Sequence, residues 1–278
     1  MGTDGPIQTS LFSGARAEAT PPADARFRVS TWNVNGIRAR AAEVVAFVER
    51  ERPDVLCLQE IKASPEKVPE PLSELAGYWG VWHGHKGYSG VGLHLSRARF
   101  PEPPVFAHPA FDHETRIVVA QAGPLRVAST YVHNGNKDYP PKVAFLNGLR
   151  EWAREGVAAG ETVLLCGDLN VAREPRDVHP MLRNPRQIGQ TPEEQQLLEE
   201  ILGAGLHDLL RSFAPDDERL FTWWAPWRQM REKNIGWRLD YVLTDAVLAK
   251  KAVSCSAERL YGTSDHAPVT AVFEGVSG

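Results

Sequence analysis

The chain has 278 residues, of which 42% are hydrophobic and 24% are charged, and its formal net charge is −4. This composition is typical of a globular protein with a sizeable core, and the small negative charge argues against indiscriminate nucleic-acid binding. No apolar run reaches the ~20 residues of a membrane helix, and the N-terminus lacks the basic and apolar segments of a secretion signal.

Cysteine usage indicates the redox environment. The three cysteines are too few for a disulfide framework, and Cys57 and Cys166 lie inside apolar runs that are typical of buried strands. We therefore expect a protein of a reducing compartment, and the cytoplasm is the predicted location, with association to the nucleoid if the source is bacterial.

Residues 1–26 are rich in Gly, Pro, Ala, Thr and Asp and show no hydrophobic periodicity. This composition predicts a disordered tail. No repeat or linker interrupts the rest of the chain, so residues 27–278 are predicted to form one domain.

Strand and helix patterns alternate through that domain. Apolar runs and alternating patterns predict strands at 27–33, 54–58, 78–82, 90–95, 116–121, 125–132, 162–166, 238–243 and 269–273. Apolar residues at helical spacing predict helices at 41–51, 141–156 and 191–204, the last with a capping box at Thr191 and Glu194. The glycines of 84–92 are assigned to a hairpin, because no Gly-Lys-Ser/Thr ending follows them. This order favours an α/β fold with mixed sheets and helices outside.

Polar residues recur where the predicted strands end. Asp168 and Asn170 follow the buried strand at 162–166, and residues two apart point to the same side of an extended chain. The alternative is ordinary turn chemistry, since Gly, Asp and Asn are common turn residues. The recurrence of the pattern favours a shared catalytic rim. The other members are Asn33, Asn35, Glu60, Tyr131, Asn134, Asp265 and His266.

The rim has the parts that phosphodiester hydrolysis needs. Its carboxylates and amides are hard oxygen donors that suit Mg²⁺ or Mn²⁺. His266 supplies an imidazole that Asp240 could orient through the second ring nitrogen, and Tyr131 can donate to a phosphate oxygen. An activated water, charge neutralisation and leaving-group assistance therefore all have candidate residues.

Five motifs, in order and at sensible spacings, resemble the exonuclease III family of abasic-site endonucleases. They are Trp32-Asn33-Val34-Asn35-Gly36-Ile37-Arg38-Ala39, Leu58-Gln59-Glu60-Ile61-Lys62, Gly167-Asp168-Leu169-Asn170-Val171-Ala172, Asn234-Ile235-Gly236-Trp237-Arg238-Leu239-Asp240-Tyr241 and Ser264-Asp265-His266. The resemblance implies a four-layer α/β sandwich of two mixed β-sheets flanked by helices, the DNase I-like fold. It also implies Mg²⁺ dependence, with Mn²⁺ as a substitute, and incision of double-stranded DNA on the 5′ side of an abasic site.

The same resemblance implies residue roles. Glu60 would hold the metal, with Asn33, Asn35 and Asp265 around it and Asp168, Asn170 and His266 completing the metal set. Asp168 would activate or orient the attacking water, supported by Asn170. Tyr131, Asn134 and His266 would contact the scissile phosphate, with Asp240 behind His266. Two positions depart from the family: Asn35 replaces the Asp of some relatives, and His133 stands where relatives often have Pro.

Tryptophans favour an abasic substrate, because a flipped sugar without a base needs a small apolar pocket. Trp223, Trp237 and Leu239 are predicted to bind the substrate, and Trp227 is predicted to wedge into the duplex. For Trp224 a core position is expected instead. Unspecific DNases, sphingomyelinases, inositol-phosphate phosphatases and a non-catalytic DNA-binding relative remain alternatives. Abasic incision, 3′→5′ exonuclease and 3′-phosphatase activities are not ranked by the sequence.

A second resemblance lies in the tail. Gln8-Thr9-Ser10-Leu11-Phe12 resembles the motif by which bacterial DNA-repair and replication proteins dock on the ring-shaped sliding clamp, with Gln8, Leu11 and Phe12 as contact residues. A chance match of so short a pattern is the alternative. The protein is otherwise expected to be a monomer.

Overall fold

The computed structural model describes residues 26–276. Within them the strands are β1 (Arg26–Asn33), β2 (Val55–Gln59), β3 (Tyr78–His85), β4 (Tyr88–Ser96), β5 (Val105–Ala107), β6 (Ile117–Ala122), β7 (Leu125–Tyr131), β8 (Thr162–Asp168), β9 (Leu206–Asp208), β10 (Asp240–Asp245), β11 (Ala252–Ala257) and β12 (Val269–Glu274). The helices are α1 (Ile37–Glu51), α2 (Glu70–Ser73), α3 (Pro140–Ala158), α4 (Pro192–Gly203), α5 (Leu209–Phe213) and α6 (Ala246–Ala249). The predicted tail lies outside the described residues except for Arg26, which begins β1.

The strands form two six-stranded sheets. Sheet A has the order β11-β12-β1-β2-β4-β3, and sheet B has the order β5-β6-β7-β8-β10-β9. Each sheet contains one parallel pair, β1 with β2 and β7 with β8, while the other pairs are antiparallel. The parallel pairs are joined by α1 and α3, because a parallel connection needs a crossover long enough to return the chain.

The layers follow from three buried clusters. Side chains of both sheets, such as Leu93 and Leu164, meet in the core between the sheets. Phe47 of α1 belongs to a cluster on the outer face of sheet A, and Leu146 of α3 and Leu198 of α4 belong to one on the outer face of sheet B. The predicted four-layer sandwich of two mixed sheets flanked by helices is therefore confirmed.

Strand β8 is buried on both faces, as its apolar run predicts. Leu164 and Cys166 face the core between the sheets, while Val163 and Leu165 pack beneath α3 and α4. Cys57 and Cys166 are buried and free, as expected. No helix among residues 26–276 is long and apolar enough to cross a membrane.

The predicted helix cap and hairpin are present in the structure, while one helix boundary differs from its prediction. The Thr191 hydroxyl accepts the backbone N–H of Glu194, and the Glu194 carboxylate accepts the backbone N–H of Thr191, which is the predicted capping box. The glycine-rich stretch at 84–92 is the β3–β4 hairpin. Helix α1 begins earlier than predicted, directly after Gly36, whose φ of 103° turns the chain from β1 into the helix.

Candidate active site

Polar side chains from both sheets converge at one edge of the sandwich, around a cavity of about 260 Å³. Asn33 and Glu60 arrive at the ends of β1 and β2, and Tyr131 and Asp168 at the ends of β7 and β8. Parallel strands deliver their carboxyl ends to the same edge, so this convergence follows from the topology. The predicted site residues that line the cavity are Asn33, Glu60, Tyr131, Asn134, Asp168, Asn170, Trp223, Trp237, Leu239, Asp265 and His266.

The end of β8 requires a glycine immediately before Asp168. Gly167 has a φ of 145°, and a Cβ at this position would lie 1.9 Å from the carbonyl oxygen of Thr130. Only glycine can adopt this conformation at such a close approach of two strands. Gly167 therefore fixes the direction in which Asp168 leaves the strand.

Asp168 is buried and held by three hydrogen bonds. Asn33 Nδ2 donates to Asp168 Oδ2 at 2.9 Å, Asn170 Nδ2 donates to the same oxygen at 3.2 Å, and the Asn170 backbone N–H donates to Oδ1 at 2.9 Å. Burial raises the pKa of Asp168, and the nearby Asp240 carboxylate raises it further. A fixed carboxylate with a raised pKa suits a general base.

His266 lies between two carboxylates. Its Nδ1 is 2.9 Å from Asp240 Oδ2, and its Nε2 is 3.7 Å from Asp168 Oδ2. Burial alone would lower the pKa of His266, but the carboxylates of Asp240 and Asp168 outweigh it and raise that pKa. The imidazole is therefore held as a cation, with its Nε2 directed toward Asp168. Asp240 lies at the other ring nitrogen, where the sequence places it.

Glu60 faces Tyr131 across the two sheets. The Tyr131 hydroxyl donates to Glu60 Oε1 at 2.7 Å, and Lys62 Nζ lies 3.6 Å from Glu60 Oε2. The pKa of Tyr131 is raised well above its ordinary value by burial and by the Glu60 charge, so Tyr131 is a proton donor in hydrogen bonds. Glu60 has a φ of 52°, an uncommon conformation for a non-glycine residue and one that accumulates at functional sites.

Asp265 is tied into the site by both of its oxygens. Asn35 Nδ2 donates to Oδ1 at 2.7 Å, and Trp223 Nε1 donates to Oδ2 at 3.1 Å. Asn35 Oδ1 accepts Lys62 Nζ at 2.5 Å, and Asn35 does not line the cavity. The Asn35 side chain therefore connects Asp265 to Lys62, and its place around a metal stays a prediction.

Asn170 links the rim to the helices behind it. It has a φ of 50°, its Nδ2 donates to the Val132 carbonyl at 2.9 Å, and its own carbonyl accepts Lys142 Nζ at 2.7 Å. Lys142 on α3 is fully buried and forms an ion pair with the equally buried Glu194 on α4, with 2.5 Å between Nζ and Oε1. The packing of α3 on α4 therefore fixes the position of Asn170.

The predicted substrate pocket is bounded by aromatic rings. Trp223 and Trp237 pack edge to face with ring centroids 5.8 Å apart, and both line the cavity beside Leu239. Trp224 is buried, as expected, and its Nε1 donates to Asn234. Trp227 lies outside the cavity and its side chain is exposed.

Sequence reasoning missed several residues of the cavity wall and its support. The cavity is also lined by Asn136, Gln187, Ile188 and Gly189, which come from loops.

Two buried side chains support the cavity from behind. Arg116 is fully buried, and its guanidinium lies 4.7 Å from the centre of the Tyr131 ring. His133 is also buried, and burial together with the Arg116 charge lowers its pKa to about 4, so it is neutral. A buried charge gives no periodic signal in a single sequence, although the Asn134-Gly135-Asn136 run could have identified Asn136.

The donor set of the cavity could hold a metal ion. Asp168, Asp240 and His266 each offer one ligand atom within 4.8 Å of the others, and Glu60 and Asp265 add carboxylates at the same edge. All three cysteines are in the apolar core instead. Oxygen donors fit a hard divalent cation, and His266 could join them only as a neutral ring that has lost its proton.

Comparisons with known proteins identify the family of the chain. The Endonuclease/Exonuclease/phosphatase family model matches residues 30–266. The chain is 30% identical over 259 residues to Recombination repair protein 1 of Drosophila melanogaster, covering 91% of this chain and 38% of that protein, so it spans well under half of that relative.

Solved structures extend the comparison. An AP endonuclease from Archaeoglobus fulgidus has a TM-score of 0.79 at 32% identity, covering 89% of this chain and 99% of that one. The 3′-5′ exonuclease NExo from Neisseria meningitidis has a TM-score of 0.80 at 30% identity, covering 89% and 100%. The predicted resemblance to exonuclease III-type nucleases and the predicted fold are thereby confirmed, and the chain belongs to the endonuclease/exonuclease/phosphatase family.

Proposed function

We propose that the protein is a Mg²⁺-dependent DNA-repair nuclease that hydrolyses the phosphodiester 5′ to abasic sites and also acts at 3′ ends as an exonuclease and 3′-phosphatase. The observation that carries the proposal is the hydrogen-bonded set of Asn33, Asp168 and Asn170 beside the His266–Asp240 pair, on a cavity walled by Trp223 and Trp237. The similarity to an AP endonuclease and to a 3′-5′ exonuclease supports both activities.

Each residue of this set would have a separate role in the hydrolysis. Asp168 would take the proton of the attacking water, since its carboxylate is fixed and its raised pKa makes it a better proton acceptor. Asn170 would orient that water through its amide. The His266 cation would donate from Nε2 to a phosphate oxygen and stabilise the charge that develops there, while Asp240 holds the ring from behind.

Glu60 and Asp265, with Asn33 beside them, would hold Mg²⁺, and Mn²⁺ would substitute. Bound there, the ion would supply neutralisation of phosphate charge. Their oxygens suit this cation, and Tyr131 and Lys62 position the Glu60 carboxylate. The Tyr131 hydroxyl and the Asn134 side chain complete the polar contacts to the phosphate at the cavity wall.

The apolar wall favours an abasic nucleotide as substrate. A cavity of about 260 Å³ is at the small end for a ligand site, so a bare deoxyribose is expected to fit better than a nucleotide with its base. Trp223, Trp237 and Leu239 would enclose the extruded sugar. Trp227, outside the cavity and exposed, would insert into the duplex step that the sugar leaves.

A panel of duplexes tests the proposal. One carries a single abasic analogue, one a recessed 3′ end, one a 3′-phosphate and one no lesion, each with Mg²⁺ or with EDTA. Incision 5′ to the analogue only with Mg²⁺, and little cleavage of the intact duplex, would support the assignment. Equal cleavage of intact DNA would favour the alternative of an unspecific DNase, and binding without cleavage a non-catalytic relative.

Partners beyond DNA stay predictions. The clamp motif Gln8, Leu11 and Phe12 lies outside the described residues. Binding through a short peptide that must lose ordering entropy is expected to be modest, around micromolar. A peptide covering residues 5–14, titrated against a sliding clamp from the same source, tests it, and absence of binding would make the match an accident. The monomeric state and the cytoplasmic location, with association to the nucleoid in a bacterium, are proposed on the same footing.

A further inference from the structure

A cluster of two histidines and one aspartate lies outside the catalytic cavity. His83 belongs to β3, His108 follows β5, and Asp112 precedes β6. Each offers one ligand atom, and these atoms all lie within 4.8 Å of one another. The His83 and His108 rings stack with centroids 3.8 Å apart, and His83 Nε2 lies 2.6 Å from Asp112 Oδ2.

We propose that His83, His108 and Asp112 form a second metal site that binds Zn²⁺ or a similar transition-metal ion and is separate from the catalytic one. Two imidazoles and a carboxylate are a ligand set that Zn²⁺ takes with a water in the fourth position, whereas Mg²⁺ prefers oxygen donors alone.

The surroundings hold two of the ligands in place. Asp112 Oδ1 accepts the backbone N–H groups of Arg116 at 2.8 Å and Ile117 at 3.3 Å, which leaves Oδ2 directed at His83. His108 Nδ1 lies 3.4 Å from the Ile117 carbonyl oxygen. Hydrogen-bond partners of this kind orient metal ligands and fix the tautomer of a ligating imidazole.

The charge of Asp112 also suits the site. Its Oδ1 accepts two backbone N–H groups, and such hydrogen bonds favour the charged form of a carboxyl group. Asp112 is therefore a carboxylate at neutral pH. Entry of an ion would replace the hydrogen bond between His83 and Asp112. His108 would keep Nδ1 near the Ile117 carbonyl and offer Nε2 to the ion.

A neighbouring group of similar composition is a weaker candidate. His113, Glu114 and His133 also bring ligand atoms within 4.8 Å of one another. Glu114 Oε2, however, already accepts Arg116 Nη2 at 2.9 Å, and a guanidinium beside the carboxylate repels a second cation. Arg116 makes no such contact with the side chains of the proposed site, which it meets only through its backbone N–H.

The proposed ion would join the two sheets near the catalytic edge. His83 lies on the edge strand of sheet A, and His108 and Asp112 lie in the connection between β5 and β6 of sheet B. Asp112 holds the backbone of Arg116, whose guanidinium packs against the Tyr131 ring. Metal binding would thus stiffen the segment that supports Tyr131 from behind.

Zinc titration of the full-length chain tests the site. After EDTA treatment and desalting, Zn²⁺ binding is followed by competition with a chromophoric chelator, in excess Mg²⁺ to compete at the oxygen-ligand site. His108→Ala removes an exposed ligand and with it the ring that stacks on His83. Asp112→Asn removes the charge while keeping an acceptor for the backbone N–H groups. His113→Ala, in the neighbouring group, and His207→Ala, on β9 of sheet B, are the matched controls.

We expect His108→Ala and Asp112→Asn each to weaken one Zn²⁺-binding event by at least about tenfold, and the two controls to retain it. Zn²⁺ should also raise the Tm of the wild type and not that of His108→Ala, because a ligand stabilises the state that binds it. Unchanged Zn²⁺ affinity in both ligand variants would overturn the proposal. Loss in His113→Ala with retention in His108→Ala would also overturn it, by placing the ion in the neighbouring group.

Discussion

Asn33 at the end of β1 donates a hydrogen bond to Asp168 at the end of β8, with 2.9 Å between Nδ2 and Oδ2. Strand β1 belongs to sheet A and β8 to sheet B. A residue of sheet A therefore helps to align Asp168, the carboxylate of sheet B that is proposed as the general base. The ends of β1 and β8 can therefore work together only when the two sheets are packed.

Asp168→Asn should abolish hydrolysis and keep the fold. The variant removes the proton acceptor but retains the shape of the side chain, and the loss is expected to be roughly a hundredfold or more. Because both oxygens of Asp168 accept hydrogen bonds and Asn keeps only one acceptor, the Tm is expected to fall modestly while the fold is retained. Turnover of an abasic duplex and thermal unfolding measure both effects, with the exposed Asp138→Asn as control. Near wild-type turnover would refute the assignment of Asp168.

Glu60→Gln should raise the Mg²⁺ concentration needed for half-maximal activity. The change removes a metal-binding charge but leaves an oxygen that can still accept the Tyr131 hydroxyl. The measurement is a Mg²⁺ titration of abasic incision beside wild type and the exposed Glu66→Gln. A superimposable titration for Glu60→Gln would show that Glu60 is not a ligand.

Trp227→Ala should weaken binding to abasic duplex more than binding to intact duplex, because an exposed ring that enters a gap in the stack acts only where the gap exists. Binding of both duplexes is measured by fluorescence anisotropy in EDTA to prevent cleavage. Phe213→Ala, another exposed aromatic, is the control. Equal losses on both duplexes would make Trp227 an ordinary surface residue.

Lys142→Met should destabilise the protein by about 3–5 kcal/mol, because it leaves Glu194 buried without its partner. Denaturant unfolding measures this free energy, and adding Glu194→Gln should recover part of it. Activity should fall in the single variant, since the Asn170 carbonyl loses its bond to Lys142 Nζ. A single variant as stable as wild type would contradict the buried ion pair.

His94 should make the protein less stable in acid. Its side chain is buried against the Trp82 ring, and burial lowers its pKa from 6.5 to about 3. Between these values the unfolded state binds a proton that the folded state does not, so stability falls as the pH decreases through this window.

The measurement for His94 is the difference in Tm between wild type and His94→Gln. The Tm of the wild type minus that of His94→Gln should be larger at about pH 7 than at about pH 5. Only the wild type carries His94, so only the wild type loses stability through it as the pH decreases. His207→Ala, which changes an exposed histidine, is measured beside it as the control. A difference that is constant over this range would mean that His94 is not kept neutral by the fold.

The strands with continuous apolar runs and the capped helix could be predicted from the sequence, because each carries its own signal. The edge strands could not: β5 and β9 have three residues each, and β11 is built from Ala, Val, Ser and Cys with half-exposed positions. Such strands form because a neighbouring strand is there to pair with them. Strand β10 begins at Asp240 rather than 238, because the backbone N–H of Arg238 donates to the carbonyl of Asp177 at the end of the short 3-10 helix Pro175–Asp177.

The rim residues could be identified because strand ends concentrate them, but their contacts could not. The Asn35 side chain, for example, bonds to Asp265 and to Lys62, which no local pattern indicates. Lys142 is polar and would be placed on a solvated helix face, yet it is buried because α3 packs on α4. Pairings between residues far apart in sequence depend on how the layers stack, which local patterns do not encode.

The order of sheet A has a consequence for the newly made chain. Strand β12 is the last strand of the described residues, yet it lies between β11 and β1, and Phe273 pairs with Phe27. Asp265 and His266 directly precede it. While the ribosome is still translating, a nascent chain therefore displays Glu60 and Asp168 without the imidazole that completes their chemistry. Sheet A can be completed only after β12 has left the ribosome, because β12 pairs with both β11 and β1. Unfinished chains are therefore expected to be inactive.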